Sequence, residues 1–579
     1  MTSQIFTYLK RKGYSDPAWV NALFVSAFVR HNGWDVSACP FLMRYVMAED
    51  CKELQEFREK LARCGCDFTL EDLSRLFEFV ISPEDRVITG AIYTPKEVRT
   101  LILTQVFSHF SKQELSHLKV GDIACGCGAF LMDVAELLHE RTERSFMEIF
   151  SQQIYGVDIQ EYSVERTKIM LALLAVSHGE TGEMDFNIVQ GDSVKYDFRT
   201  LVGDNGFDVI VGNPPYVCSR NMSAETKAEL WRWSVCATGH PDLYRPFCQI
   251  ALENLRDGGV LGYITMNSFI KSLNGRALRQ YFQNCRFDFR LIDFRSRQIF
   301  GSKSTYTCVC IIQKTEANGV RYGINITDEI TVVPVFHDVP YSSLDAKRGW
   351  NLENTVESAE IESKGTPLGK YCQSRHGIAT LSNKTYIFKP IREDEAYFYF
   401  MKDGKEWHVE RGICRDIVNS NRMTKEVRFE DVLEKCIFPY TDDDQPRVLE
   451  ENVFRELYPE AYRYLSSCRK ALYARDKGKG RDYAHWYEFG RTQCLNRMPA
   501  KLFFPKLASH SPHCVLSEDR DLLFYNGQAF ISDDIKKLKR VKKIIESSEF
   551  WRYIQATSKP YASGYYSLNG NYIKNYGVE

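Results

Sequence analysis

Apolar and polar positions along the chain follow two regimes. Residues 1–85 carry helical periodicity, seen best in NALFVSAFVRHNGW (21–34) and DCKELQEFREKLARCG (50–65). From about Gly90 the pattern changes. Short β-type runs take over: LKVGDIA (118–124), IYGVDI (154–159), FNIVQ (186–190), FDVIVG (207–212), VLGYIT (260–265), FRLIDF (289–294) and TYTCVCIIQ (305–313). Helical stretches such as AFLMDVAELLHE (129–140) and SVERTKIMLALLAV (163–176) lie between them. This alternation predicts a doubly wound α/β sheet. The last run sets Thr307, Val309 and Ile311 against Cys308, Cys310 and Ile312, and is expected to close the sheet as a hairpin. The expected layout is a helical segment over 1–85, an α/β domain over 86–320, a connection over 321–365, and a C-terminal domain over 366–579 with short aromatic-rich strands and basic clusters.

Composition sets broad limits. The 579 residues are 44% hydrophobic and 26% charged, which is ordinary globular composition and excludes a disordered or fibrous chain. The net charge of −1 means that any basic surface for nucleic acid must be local. No apolar run reaches 18 residues and the N-terminus has no signal-peptide pattern, so no membrane span or export is expected. The 18 cysteines, none spaced C-x-x-C, are expected as free thiols in a reducing cytosol.

Candidate chemistry sits at the strand ends. The first strand ends in Asp122-Ile123-Ala124-Cys125-Gly126-Cys127-Gly128-Ala129-Phe130 before a helix. Glycines there let the backbone approach a ligand at the carboxyl edge of a sheet. A lone G-x-G turn also arises for steric reasons, but the next two strand ends add weight. Asp158, followed by Ile159, lies 36 residues on, where an acid can hold both hydroxyls of a ribose. Asp192, followed by Ser193, lies 34 further, where an acid can accept from an adenine amino group. Together they describe a pocket for an adenosine-bearing ligand. A dinucleotide is disfavoured, because Phe130 and Leu131 follow where a third glycine would be needed. The fourth strand ends in Asn213-Pro214-Pro215-Tyr216, which offers a neutral amide oxygen, aimed carbonyls and a flat π face. That set suits a planar substrate with an exocyclic amino group.

In this order the motifs resemble those of DNA adenine-N6 methyltransferases of the gamma arrangement, the Taq-type and Eco57I-type modification methylases. Gly90-Ala91-Ile92-Tyr93-Thr94-Pro95 resembles the upstream segment that helps hold the methionine part of the cofactor. Asp122 to Phe130 resembles D-P-A-C-G-S-G-A-F, with Ile123 for Pro and Cys127 for Ser. Asp242-Leu243-Tyr244 with Phe247 resembles a further cofactor motif, and Gln298-Ile299-Phe300 the segment whose ring packs on the target base. Ser563 to Leu568 resembles the close of the recognition domain in Taq-type enzymes. The resemblance covers about residues 75–579. It implies a Rossmann-like S-adenosylmethionine-dependent sheet, a C-terminal α+β target-recognition domain and a short helical N-terminal segment. It implies S-adenosylmethionine as cofactor, with Tyr93, Thr94, Pro95, Asp122, Ala124, Gly126, Gly128, Asp158, Ile159, Asp192, Ser193, Asn213 and Phe247 around it. Asn213, Pro214, Pro215 and Tyr216 would act on a flipped-out adenine stacked between Tyr216 and Phe300, with no metal required.

The implied partner is double-stranded DNA with a short recognition sequence. A cognate restriction endonuclease would act separately, and the enzyme would be a prokaryotic cytoplasmic monomer or weak dimer. Residues 463–506 carry a local charge of +8 with interleaved aromatics, and Lys536 to Lys543 hold six basic residues in eight. Arg475, Lys477, Lys479, Arg481 and Arg491 are therefore candidate DNA contacts. RNA and protein-glutamine methyltransferases, which share the catalytic motif, N4-cytosine methyltransferases, which more often carry Ser at its first position, and a bifunctional restriction-modification partner needing a separate nuclease remain alternatives.

Overall fold

In the computed structural model of the protein, residues 3–13, 16–65, 67–81, 92–300, 305–353, 355–423 and 427–579 are described. Gly90 and Ala91 of the upstream motif lie outside them. The chain divides into two compact units, Met1–Leu352 and Glu353–Glu579.

The first unit is built on a nine-stranded sheet. Its strands are β1 (Val120–Asp122), β2 (Ile154–Asp158), β3 (Asn187–Gln190), β4 (Phe207–Gly212), β5 (Leu255–Met266), β6 (Phe287–Gln298), β7 (Tyr306–Glu316), β8 (Gly319–Ile324) and β9 (His337–Pro340). Their order is β3-β2-β1-β4-β5-β7-β6-β8-β9. β1 pairs in parallel with both β2 and β4. The chain reverses sides at β1, so its carboxyl end and that of β4 border the crevice where such sheets bind ligands. Alternate side chains enter opposite cores. Val209, Val211, Val260 and Ile264 pack on one face, and Ile210, Leu261 and Tyr263 on the other.

All seven strands expected from the pattern are present. The expected antiparallel hairpin of β6 and β7 is present, but it does not close the sheet, because β7 is inserted between β5 and β6 and β8 and β9 continue beyond β6. The stretch expected as a connection also differs, since 321–365 overlaps β8 and holds β9. Val320 and Tyr322 are buried within β8. The strand is only six residues long and ends among turn-forming residues, which hides its alternation.

The N-terminal helices belong to the same unit. Phe24, Phe28, Phe57, Leu73 and Phe77 share a core with Leu171 and Leu174 of the helix Glu161–Ser177. Arg166 ties the two regions, donating from Nε to Asn21 Oδ1 (3.1 Å) and from Nη1 to the Phe77 carbonyl (3.1 Å).

The second unit is α+β. One four-stranded sheet joins Ser374–His376, Gln528–Ile531, Lys501–Phe504 and Val515–Ser517. Another joins Ile387–Phe388, Leu433–Ile437, Cys414–Asn419 and Leu523–Tyr525. No helix among the described residues is long and apolar enough to cross a membrane.

Candidate active site

A cavity of about 550 Å³ opens at the carboxyl ends of β1, β2, β3 and β4. The turn after β1 forms its floor. Asp122 is buried and its Oδ1 accepts from the Ala124 amide at 3.0 Å. Asp158 accepts from the Gly126 amide at 2.9 Å and from the Gln160 amide at 2.9 Å, which binds the end of β2 to the glycine turn. Two glycines are required by close approach. Gly128 (φ +82°) would place a Cβ 2.9 Å from Thr167 Cγ2. Gly212 (φ +148°), just before Asn213, would place one 2.6 Å from Asp122 Oδ1.

Of the residues expected around the cofactor, Tyr93, Thr94, Asp122, Ala124, Gly126, Asp158, Ile159, Asp192, Ser193, Asn213 and Phe247 line this one cavity. Ile159 is 53% exposed and Phe247 is buried, so both present apolar surface to it. Pro95 and Gly128 are not in the lining. Pro95 stands at the N-cap of the helix Lys96–Phe107, and Gly128 at that of Ala129–Thr142. The Ser193 hydroxyl is already committed, donating to the Ile123 carbonyl at 2.6 Å.

The charge of the lining is strongly one-sided. Among the described residues, Glu78, Asp122, Asp158 and Asp192 face Arg220 as the one cation of the lining. Burial pushes the Asp122 carboxyl up to about 7, against the Ala124 hydrogen bond, with Asp158 nearby adding to the rise. Burial likewise pushes Asp158 up to about 6. Such a cavity favours a cation and disfavours a phosphate.

At the end of β4 the Asn213 amide donates from Nδ2 to Thr94 Oγ1 (3.1 Å) and to the Ile92 carbonyl (3.3 Å). Its Oδ1 is buried and has no hydrogen-bond partner among the described residues. Pro215 lines the cavity, while Pro214 is buried and not in the lining. The Tyr216 hydroxyl donates to the Ile264 carbonyl at 3.1 Å. Phe300 is brought to Tyr216 as expected, with ring centroids 6.2 Å apart, and the rings meet at 66°. This is an edge-to-face contact, a favoured arrangement for two aromatic rings.

Some residues that line the cavity have no signal in the sequence pattern. Glu78 and Ile81 of the N-terminal segment line the cavity, as do Tyr162, Arg220 and Met222. Nothing in the spacing of 1–85 marks them. Arg99 is fully buried, pairs with Asp133 (2.7 Å) and Glu71 (2.8 Å), and donates to the Thr94 carbonyl (2.6 Å). A charge on the otherwise apolar face of Lys96–Phe107 was the available signal.

One of the candidate DNA contacts in the second unit, Arg475, is corrected. Arg475 is 5% exposed and holds the Tyr386 hydroxyl (3.0 Å) and the Trp486 carbonyl (2.9 Å). Arg491 is paired with Asp476 at 3.0 Å. Arg475 serves internal packing, satisfying the polar groups of buried aromatic residues, whereas Arg491 is half exposed and makes a surface ion pair. Lys479 and Arg481 are exposed and without an ion pair among the described residues. The side chain of Lys477 lies outside the described residues.

The strand order and the cavity at its carboxyl edge define the class, a Rossmann-like methyltransferase fold carrying an additional α+β unit. Residues 152–300 match the Eco57I restriction-modification methylase family. The chain is 27% identical over 480 residues to the type II restriction enzyme and methyltransferase RM.Eco57I of Escherichia coli, covering 71% of this chain and 48% of that one. It is 23% identical over 514 residues to the type II methyltransferase M.PaeR7I of Pseudomonas aeruginosa, covering 84% and 85%. The structure of the type IIL restriction-modification enzyme MmeI, solved with DNA, shares the fold with a TM-score of 0.63 at 14% identity, covering 99% of this chain and 82% of that one. The chain spans about half the length of RM.Eco57I. The family resemblance read from the motifs is borne out.

Proposed function

We propose that the protein is a site-specific DNA methyltransferase that transfers a methyl group from S-adenosylmethionine to adenine N6, as the modification enzyme of a restriction-modification system. One observation carries the reading: the buried, unpartnered Oδ1 of Asn213 beside an acidic, adenosine-sized cavity. A buried acceptor without a partner costs about 1–3 kcal/mol, which an amino-group donor in the substrate would recover.

The residues fit the cofactor. Its cationic character matches the acidic lining, Asp158 would accept from the ribose hydroxyls, Asp192 would receive the adenine amino group, and Ile159 and Phe247 would cover the adenine faces. When bound, it supplies a methyl group already activated on a sulfonium. The chain has two tasks. It must place the target amine in line, and it must stabilise charge that develops on nitrogen. Adenine N6 is a poor nucleophile because its lone pair is conjugated into the ring. Asn213 Oδ1 and the Pro214 carbonyl would accept its two hydrogens, drawing the lone pair out of conjugation toward the methyl carbon. One N6 proton then leaves to water. The base must first leave the stack, and Phe300 must swing from its edge contact so that the base can lie against Tyr216.

Cofactor affinity should fall as pH drops through about 6, because ribose hydroxyls donate to the ionised Asp158 carboxylate and protonation removes that acceptor. The raised value makes the folded protein take up this proton above the usual carboxylate range. Asp158→Ala should weaken binding by about 1.5–3 kcal/mol and remove that pH step. Titration calorimetry between pH 5 and 8 checks both, and unchanged affinity in a folded variant would take Asp158 out of the site.

DNA contact is assigned to the unpaired cations of the second unit. Neutralising Lys479 and Arg481 should reduce the slope of log K against log salt by about 0.9 per lost contact. A slope equal to that of the wild type would make these charges plain solvated surface.

The reading is tested by nucleoside analysis and methylome sequencing of a host expressing the gene. N6-methyladenine at one short motif is expected. N4-methylcytosine, or no new modification, would contradict it.

A further inference from the structure

We propose that Thr94 is a positioning residue for the Asn213 amide, held in place by the Arg99 ion network and through it by the N-terminal helical segment. The inference rests on the methyltransferase reading above. An amide can present either its oxygen or its nitrogen toward a substrate, and the two orientations have nearly the same shape. Only the oxygen accepts from an amino group. At Asn213 the neighbours divide the work: the Ile92 carbonyl, an acceptor only, selects Nδ2, and the Thr94 hydroxyl, bonded to the same nitrogen, holds the amide plane in place, so Oδ1 is turned away from both and left for the substrate. The flipped orientation would set Oδ1 against the Ile92 carbonyl, which has no proton to give.

Both acceptors lie in the segment 92–95, which has no regular secondary structure and needs an anchor. Arg99 provides it. Its Nη1 donates to the Thr94 carbonyl, while Nε and Nη2 reach Asp133 and Glu71. Glu71 also accepts from the Tyr93 hydroxyl. Glu71 sits on the helix Leu70–Phe79, so the N-terminal segment supports the reactive amide from behind. This gives the helical segment a role that its sequence does not disclose. It also gives Thr94 a task distinct from holding the methionine part of the cofactor.

The two tasks separate by experiment. Thr94→Val keeps the shape of the side chain and deletes the acceptor. Thr94→Ser retains it. If Thr94 orients Asn213, Thr94→Val should lower the single-turnover rate by about tenfold or more, with cofactor and DNA dissociation constants within about twofold of wild type, the tightness of binding serving as proof of folding. Thr94→Ser should restore most of the rate. Thr94→Ala gives the same comparison should the valine methyl be poorly accommodated. A Thr94→Val enzyme as fast as wild type would overturn the inference, as would a defect confined to cofactor affinity. A wild-type protein that transfers no methyl group to DNA would overturn the underlying reading, and the inference with it.

Discussion

Asn213→Ala is expected to slow methyl transfer by at least about 10²–10³-fold while cofactor and DNA still bind. The amide oxygen meets little charge in the ground state and more as N6 becomes positive, so the loss falls on the chemical step and not on affinity. The backbone around it is held independently of its side chain. Gly212 leaves room for Asp122, and the β4 ladder is anchored to β1 and β5. The variant should therefore fold. Its dissociation constants by calorimetry and its single-turnover rate with labelled methyl donor make the comparison. A rate near that of wild type would mean that the Asn-Pro-Pro-Tyr turn is only structural.

Arg99→Met should destabilise the first unit by about 3–5 kcal/mol, the cost of leaving one side of a buried ion pair unmatched. Asp133 is 9% exposed and would lose its buried cationic partner, and the Thr94 carbonyl would lose its donor. The effect should appear as a lower midpoint in denaturant unfolding. Methionine fills the space of the arginine stem, so lost packing contributes little. The double variant Arg99→Met, Asp133→Leu should recover much of the loss, since a buried pair replaced on both sides by apolar groups is often close to neutral. No recovery would mean that Glu71 or the Thr94 carbonyl, and not Asp133, is the partner that matters.

What was legible in the sequence followed from periodicity and from chemistry fixed to strand ends. Seven strands could be read because each is a short β-rich run between helical stretches. Asp122, Asp158, Asp192 and Asn213 fell into one cavity because parallel strands all deliver their carboxyl ends to one edge. What failed to show depends on contacts between distant segments. The β7 insertion depends on which neighbour an interior strand chooses, and the hydrophobic pattern of TYTCVCIIQ is the same for either. Glu78 reaches the cavity only because the N-terminal helices pack on Glu161–Ser177. Arg475 reads as one more cation in a basic stretch, yet it is buried between Tyr386 and Trp486. Charge along a chain does not reveal which charges are internally satisfied, and only the fold separates the buried Arg475 from the exposed Lys479 and Arg481.

The central claim is methyl transfer to DNA at this cavity. It is tested most directly by incubating the purified protein with tritiated S-adenosylmethionine and unmodified duplex DNA, and digesting the DNA to nucleosides. The expected result is label in N6-methyl-2′-deoxyadenosine from the wild type and almost none from Asn213→Ala. Label in cytosine or on the protein itself, or equal label from both proteins, would contradict it.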